Sequence, residues 1–202
     1  MPYIGTQPND VKKNIGVYTP SEILQLTKEG SWGGSLELIE EQTVSSAVAS
    51  VDFTSIKGSK YDVHKIQIDD MLFSDASGNE YLSCQLYESG TLETASVYQY
   101  AQQYGTSSGS SGEQKSTATA APAISIQAGN TTNFLTNGYI YFYNLNNSSK
   151  YSFSTFHITQ MATGGFGGFS LPQASLVDGI RIRSGNTANI TQANIKLYGV
   201  KQ

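Results

Sequence analysis

Reactive side chains are scarce in this 202-residue chain, which holds one cysteine, two histidines, one tryptophan and five prolines. A lone thiol excludes an intrachain disulfide and a metal site built from thiolates. Cys84 alternates with Leu82 and Leu86, so it reads as a small buried hydrophobe. Neither His64 nor His157 has a second His or Cys at ligand spacing, and packed or partly exposed structural imidazoles are the preferred reading. No metal site and no cofactor are expected.

Charge is scarce too. Only 14% of the residues are Asp, Glu, Lys or Arg, against about 25% in ordinary globular domains. The net charge of −4 supplies no basic field, and Lys12–Lys13 is the sole adjacent basic pair. Nucleic acid is therefore not an expected partner. Long apolar runs are missing, which argues against membrane insertion, and "MPYIGTQPNDVKKNIG" does not read as a signal peptide. The expectation is synthesis in a cytoplasm without a secretory leader.

Catalytic constellations are equally thin. No strained nucleophile elbow is expected, and the glycines of "GGFGGF" lack the lysine and helix that complete a phosphate loop. The adjacent carboxylates Glu40–Glu41 and Asp69–Asp70 would point to opposite faces of a strand, so neither pair can act alone as acid and base. Asp69, Asp70, Asp75 and Glu80 could gather calcium around Ser77–Gly78. Their spacing departs from an EF-hand loop, and a solvated turn is the preferred reading. No catalytic residue is assigned.

What the sequence does have is Ser, Thr, Asn and Gln, 20 Gly and 13 Tyr. Residues 1–34 stand apart from the rest. "MPYIGTQPND" should be extended or irregular alone. In "VYTPSEILQLTKEG", Thr19 fits an N-cap, Pro20 the first helical position and Glu22 the capping-box partner, with Gly30 as a stop. Ile23, Leu24 and Leu26 give this one short helix an apolar side.

From Leu36 onward the period is two. Ala47, Ala49, Val51 and Phe53 share a face, as do His64, Ile66 and Ile68. Leu82, Cys84 and Leu86 oppose Ser83, Gln85 and Tyr87. Ile140 and Phe142 oppose Tyr139, Tyr141 and Tyr143, Ile180 and Ile182 oppose Arg181 and Arg183, and Ile195 and Leu197 oppose Asn194 and Lys196. Such alternation predicts antiparallel strands with one wet face, hence an all-β sandwich or jelly-roll-like domain over residues 35–202. The stretch Ser59–Gly90 reads as strand, tight turn, strand: a hairpin. Two segments, Tyr104–Ala123 and Met161–Gln173, read as long loops, the first too polar to order itself.

Tyr139, Tyr141 and Tyr143 on one wet face, with Tyr98, Tyr100 and Tyr104 as a second group, suit a protein interface or a sugar site. A packed inner face of a second sheet explains them equally well. Phe166 and Phe169 join the first group as candidate glycan or partner contacts.

Longer stretches carry a resemblance. "QTVSSAVASVDFTSIKGSKYDVHKIQIDDM", "GYIYFYNLNNSSKYSFSTF" and "DGIRIRSGNTANITQANIKLYGV" together resemble a β-domain of tailed-bacteriophage virion proteins, notably those of aquatic phages, over roughly residues 38–200. "MPYIGTQP" is similar to the N-termini of phage fibre and adaptor chains, where an extended arm docks into the particle. The resemblance implies a structural virion component assembled in the host, with a homotrimer as the usual state. A short tail fibre is the leading form, and a capsid decoration or head-fibre protein or a glycan-binding module are the alternatives. Residues 1–34 would then anchor the chain through Tyr3, Ile4, Ile23, Leu24, Leu26 and Trp32 to a tail adaptor, nozzle or capsid protein. No shaft-forming repeat is present, so the fibre would be short. A depolymerase would further require two carboxylates brought together about 5–9 Å apart.

Overall fold

The computed structural model describes residues 19–28, 35–74, 80–129, 131–160 and 162–201, with side chains described from Thr19 to Gln25 in the helix. The chain divides into two compact units, Met1–Ser35 and Leu36–Gln202. In the first, helix α1 spans Pro20–Lys28. Its capping box forms as the sequence requires: the Glu22 N–H donates to Thr19 Oγ1 at 3.3 Å, and the Thr19 N–H donates back to Glu22 Oε2 at 2.7 Å. Among the described residues no helix is long and apolar enough to cross a membrane.

The second unit is an antiparallel β-sandwich, with twelve strands among the described residues. They are β1 (Leu36–Val44), β2 (Ser50–Phe53), β3 (Val63–Phe73), β4 (Leu82–Glu88), β5 (Thr91–Leu92), β6 (Tyr98–Thr106), β7 (Ser111–Thr119), β8 (Thr136–Tyr143), β9 (Ser152–Gln160), β10 (Thr163–Leu171), β11 (Val177–Ser184) and β12 (Ile190–Val200). Eight form one sheet in the order β1-β12-β3-β8-β9-β10-β6-β7, and four form the other in the order β2-β11-β4-β5. The two ends of the domain make a ribbon: β1 pairs with β12 and β2 with β11. The ribbon passes from one sheet to the other at a corner held by the Val48–Ile190 bridge.

Alternation decides the core. Ile66, Ile68, Ile140, Phe142, Phe156, Ile158, Ile195 and Leu197 point inward from the large sheet, and Val51, Phe53, Leu86, Ile180 and Ile182 from the small one. Each such side chain contributes about 1.5–3 kcal/mol by leaving water. Cys84 is fully buried, and burial pushes its thiol pKa up, out of the reactive range. His64 is fully buried, with Nε2 2.8 Å from the Ile56 carbonyl; burial lowers its pKa, against the opposing pull of that carbonyl.

Several expectations are corrected. Ser59–Gly90 is not a hairpin: β3 lies in the large sheet between β12 and β8, whereas β4 lies in the small sheet between β11 and β5. Local alternation is the same for a hairpin and for two strands that part company, so only long-range pairing separates them. Ser83 and Gln85 are not on a wet face either. The segment after β7 covers them, and Pro122 O accepts from Ser83 Oγ at 2.9 Å while Ala120 O accepts from Gln85 Nε2 at 3.0 Å. Ala47 and Ala49 precede β2 and are exposed rather than sharing the Val51–Phe53 face.

Most of Tyr104–Ala123 is ordered as the end of β6, a turn and β7. Its backbone bonds to β10 and to itself, a ladder that does not depend on apolar side chains. Most of Met161–Gln173 is likewise a strand, β10, paired on both sides. Glycine suits it, because a Cβ on Gly167 would lie 2.3 Å from the Ala101 carbonyl oxygen. Tyr98 is fully buried on the inner face, not part of an exposed group.

Candidate functional site

The outer face of the large sheet collects aromatic side chains from strands far apart in sequence. On β8 the alternation of "GYIYFY" sends Ile140 and Phe142 inward and Tyr139, Tyr141 and Tyr143 outward. Register then sets their neighbours. Tyr139 lies opposite Gln67 on β3 and His157 on β9, and His157 lies opposite Phe166 on β10. In the next rung Tyr198, Lys65, Tyr141, Thr155, Gly168, Ala101 and Lys115 follow one another across seven strands. A third rung places Tyr143 opposite Phe153.

These rings touch. Tyr139 meets Tyr141 edge-on with centroids 5.7 Å apart, and His157 at 6.1 Å. The Lys65 ammonium sits 5.7 Å from the Tyr139 ring and 5.9 Å from the Tyr198 ring, as cation–π contacts do. The surface stays open to water nonetheless: Phe166 is 57% exposed, Phe153 47% and Tyr139 38%.

Small residues make a trough in this carpet. Gly168 and Ala101 lie in the rung between those of Phe166 and Phe153. A groove of about 510 Å³ runs past Phe153, Gly168, Ala101 and Lys115, and a smaller one of about 210 Å³ past Phe166, Gln103 and Glu113. Phe153 and His157, the register partner of Phe166, are four residues apart, roughly 14 Å along the strand. Flat apolar rings beside amides, hydroxyls and a lysine can stack on a ligand and satisfy its polar groups.

The structure thus brings Tyr139, Tyr141, Tyr143 and Phe166 to one face. Phe169 does not belong with them. It lies three residues from Phe166, so it points the other way, into the core, where Tyr98 and Phe142 meet it at 6.3 and 6.1 Å. Phe153, His157, Lys65 and Tyr198 join the face instead. Period two in "YSFSTFHI" could have placed Phe153 and His157 opposite Phe156 and Ile158. Of the anchoring candidates, Ile23 is half-buried and Leu24 is 56% exposed on α1, whereas Tyr3, Ile4, Trp32 and the side chain of Leu26 lie outside the described residues.

Glu41, Asp69 and Glu80 make contacts within the fold. Glu41 accepts from Asn194 Nδ2 at 2.9 Å, Asp69 accepts from Gln67 Nε2 at 3.0 Å, and Lys196 lies 3.7 Å from Glu41 and 3.8 Å from Asp69. Asp70 sits in a bulge with φ 55°, its N–H donating to Asn137 Oδ1. Glu80 is buried against the Ser184 hydroxyl, and Asp75 lies outside the described residues. Among the described residues no three His, Cys, Asp or Glu side chains gather as metal ligands.

One acidic pair escaped the sequence reading. Glu88 ends β4 and Glu93 follows β5, and each carboxylate influences the other's titration. Burial pushes the Glu88 carboxyl up, while the Ala95 N–H holds Glu93 down. The letters Gly105–Gly109 match G-x-S-x-G, but they end β6 and begin the turn to β7, without the following helix that a nucleophile elbow needs.

No protein-family model matches the chain, and no curated protein does. Among solved structures, the infectious bursal disease virus VP2 subviral particle is similar at 11% identity and a TM-score of 0.18. The alignment covers 82% of this chain and 40% of that one. Likeness at that level supports no argument about function.

Proposed function

We propose that this chain is a structural protein of a bacteriophage particle that works by contact rather than by catalysis. Its most favoured form is a short tail fibre held by residues 1–34, with a capsid decoration or head-fibre protein as the alternative placement. The observation that carries the reading is the aromatic outer face: Tyr139, Tyr141, Tyr143, Phe153, Phe166 and Tyr198 left in water at the cost of unburied ring surface. A face of this kind, poor in net charge, can associate without a large desolvation penalty. The sequence resemblance supplies the phage context and the expectation of a homotrimer.

Two measurements test it. Removing residues 1–34 should leave a folded sandwich that no longer enters particles, and normal incorporation would overturn the anchoring role. The mass of the full chain in solution should be that of a trimer. A strictly monomeric chain that never co-purifies with virions would remove the proposal.

A second reading concerns the trough between Phe153 and Phe166, whose small-residue floor and flanking rings suit a host-surface glycan. Binding on a glycan array that disappears with Tyr141→Ala or Phe166→Ala would support it. Silence across host polysaccharides would count against it.

A further inference from the structure

The outer face of the small sheet carries two neighbouring arginine rungs that differ in one respect. In the first, Arg181 on β11 lies opposite Asp52 on β2. The pairing is bidentate: Nε donates to Asp52 Oδ1 at 2.6 Å and Nη2 to Oδ2 at 3.1 Å, while Nη2 also reaches the Tyr87 hydroxyl at 2.8 Å. That guanidinium is neutralised. In the second rung, Arg183 lies between Ser50 on β2 and Ser83 on β4. Its hydrogen bonds go to backbone carbonyls, Nε to Ser184 O at 2.7 Å and Nη2 to Asn186 O at 3.0 Å. Among the described residues no carboxylate pairs with it. Glu80 bonds Ser184, whose side chain turns to the opposite face of β11 by strand alternation.

This half-buried cation lines a pocket of about 390 Å³ formed with Ser50, Asn186, Thr187 and Asn189, and no Asp or Glu lines it. A guanidinium has five donors in a planar fork, and two carbonyl bonds leave others to face the pocket. Carbonyls orient the group without cancelling its charge. In a chain of net charge −4, such a cation in a concave polar pocket is a local reversal of sign.

We propose that this pocket is an oxyanion-binding site, with Arg183 as the charged anchor and the 186–189 loop as a neutral polar wall. The ligand class is a carboxylate, phosphate or sulfate group, free or carried on an acidic sugar for which the pocket has room. The inference is independent of the aromatic face, which lies on the other sheet.

The test is titration of the full-length protein at low ionic strength with glucuronate, inorganic phosphate and sulfate, with glucose as the neutral counterpart. Amide resonances of Ser50, Arg183 and Asn186 report the binding. Saturable shifts with at least one anion and none with glucose are expected; the anion that binds tells a sugar carboxylate from a simple ion. Arg183→Gln should weaken binding by roughly tenfold or more. Because that change also removes the two carbonyl braces, Ser50→Asp is the cleaner variant. It places a carboxylate opposite Arg183 as Asp52 stands opposite Arg181, and it should abolish binding in a protein that still folds, at some cost in stability because the Ser50 hydroxyl bond to Asp52 gives way to a second acid beside it. No saturable shift with any anion, or binding that survives Ser50→Asp in the folded protein, overturns the proposal.

Discussion

Tyr98→Phe is a one-atom test of how the small sheet is closed. The Leu86 carbonyl accepts from the Glu93 N–H at 2.9 Å, so the backbone groups of Leu86 face β5 rather than β11. There the Leu86 N–H donates to the Tyr98 hydroxyl at 2.8 Å, and that hydroxyl reaches the Glu93 carbonyl at 3.5 Å. Phenylalanine keeps the ring, and with it the edge-on contact to Phe169. What goes is the acceptor for a buried N–H, a loss of about 1–3 kcal/mol. For a domain of this size that corresponds to roughly 2–4 °C of melting temperature per kcal/mol. Urea denaturation should therefore show a lower midpoint with an unchanged slope, and amide exchange at Leu86 should quicken more than at Ile182. Tyr143→Phe is the control: its hydroxyl meets Thr155 Oγ1 at an exposed position, and the change should stay within about 0.5 kcal/mol. If Tyr98→Phe costs no more than the control and Leu86 exchange is unaltered, the Tyr98 hydroxyl is not what satisfies this strand end.

Gly167→Ala should destabilise by about 1–3 kcal/mol or abolish folding, because the new methyl meets the backbone of β6 at Ala101 and Gln102; an unchanged unfolding midpoint would refute the close approach. Asp52→Asn should flatten the acid limb of stability. Burial raises the Asp52 pKa, but hydrogen bonds from Arg181 and Tyr87 outweigh it and hold the group below its ordinary value. Its stabilisation is therefore complete above the unfolded value of about 3.9 and is lost as pH falls through the lower folded value. Wild-type and Asp52→Asn stability curves should converge there, and parallel curves would refute the linkage. Cys84 should resist thiol reagents in the folded protein and react only on unfolding, since burial keeps it protonated; rapid labelling without denaturant would contradict its placement. Phe166→Ala should leave stability within about 0.5 kcal/mol, as for an exposed residue, and a large loss would mean the ring is packed rather than displayed.

Local rules reached as far as local physics does. The capping box at Thr19 and Glu22 and the alternations of β8, β11 and β12 are set by neighbours three or two residues away, and the structure keeps them. Partner choice is not local. Residues 59–90 obey the same alternation whether β3 and β4 pair with each other or with β12 and β11, so the hairpin expectation had nothing to correct it. The β6–β7 arm and β10 were hidden because polar and glycine-rich segments carry no apolar period, although a backbone ladder needs none. Misreading β10 as a loop also hid that Phe166 and Phe169, an odd number of residues apart, must face opposite ways. The candidate face was half legible: the three tyrosines of β8 are visible in one strand, but Tyr198, Lys65, His157 and Phe166 meet them only through register. The contrast between the Arg181 and Arg183 rungs needed the β2 partner, which no spacing reveals.

The pairing of Leu36 with Val200 has a mechanical side. The sandwich takes its chain in and lets it out at neighbouring points on one rim, with β1 bonded along a single flank. Tension between those two points would peel the ladder apart bond after bond and yield at small force. A load entering at Leu36 but resisted at the tyrosines of β8 must instead cross the β12 and β3 ladders, where many bonds share it. The same domain would be weak under one direction of pulling and tough under the other.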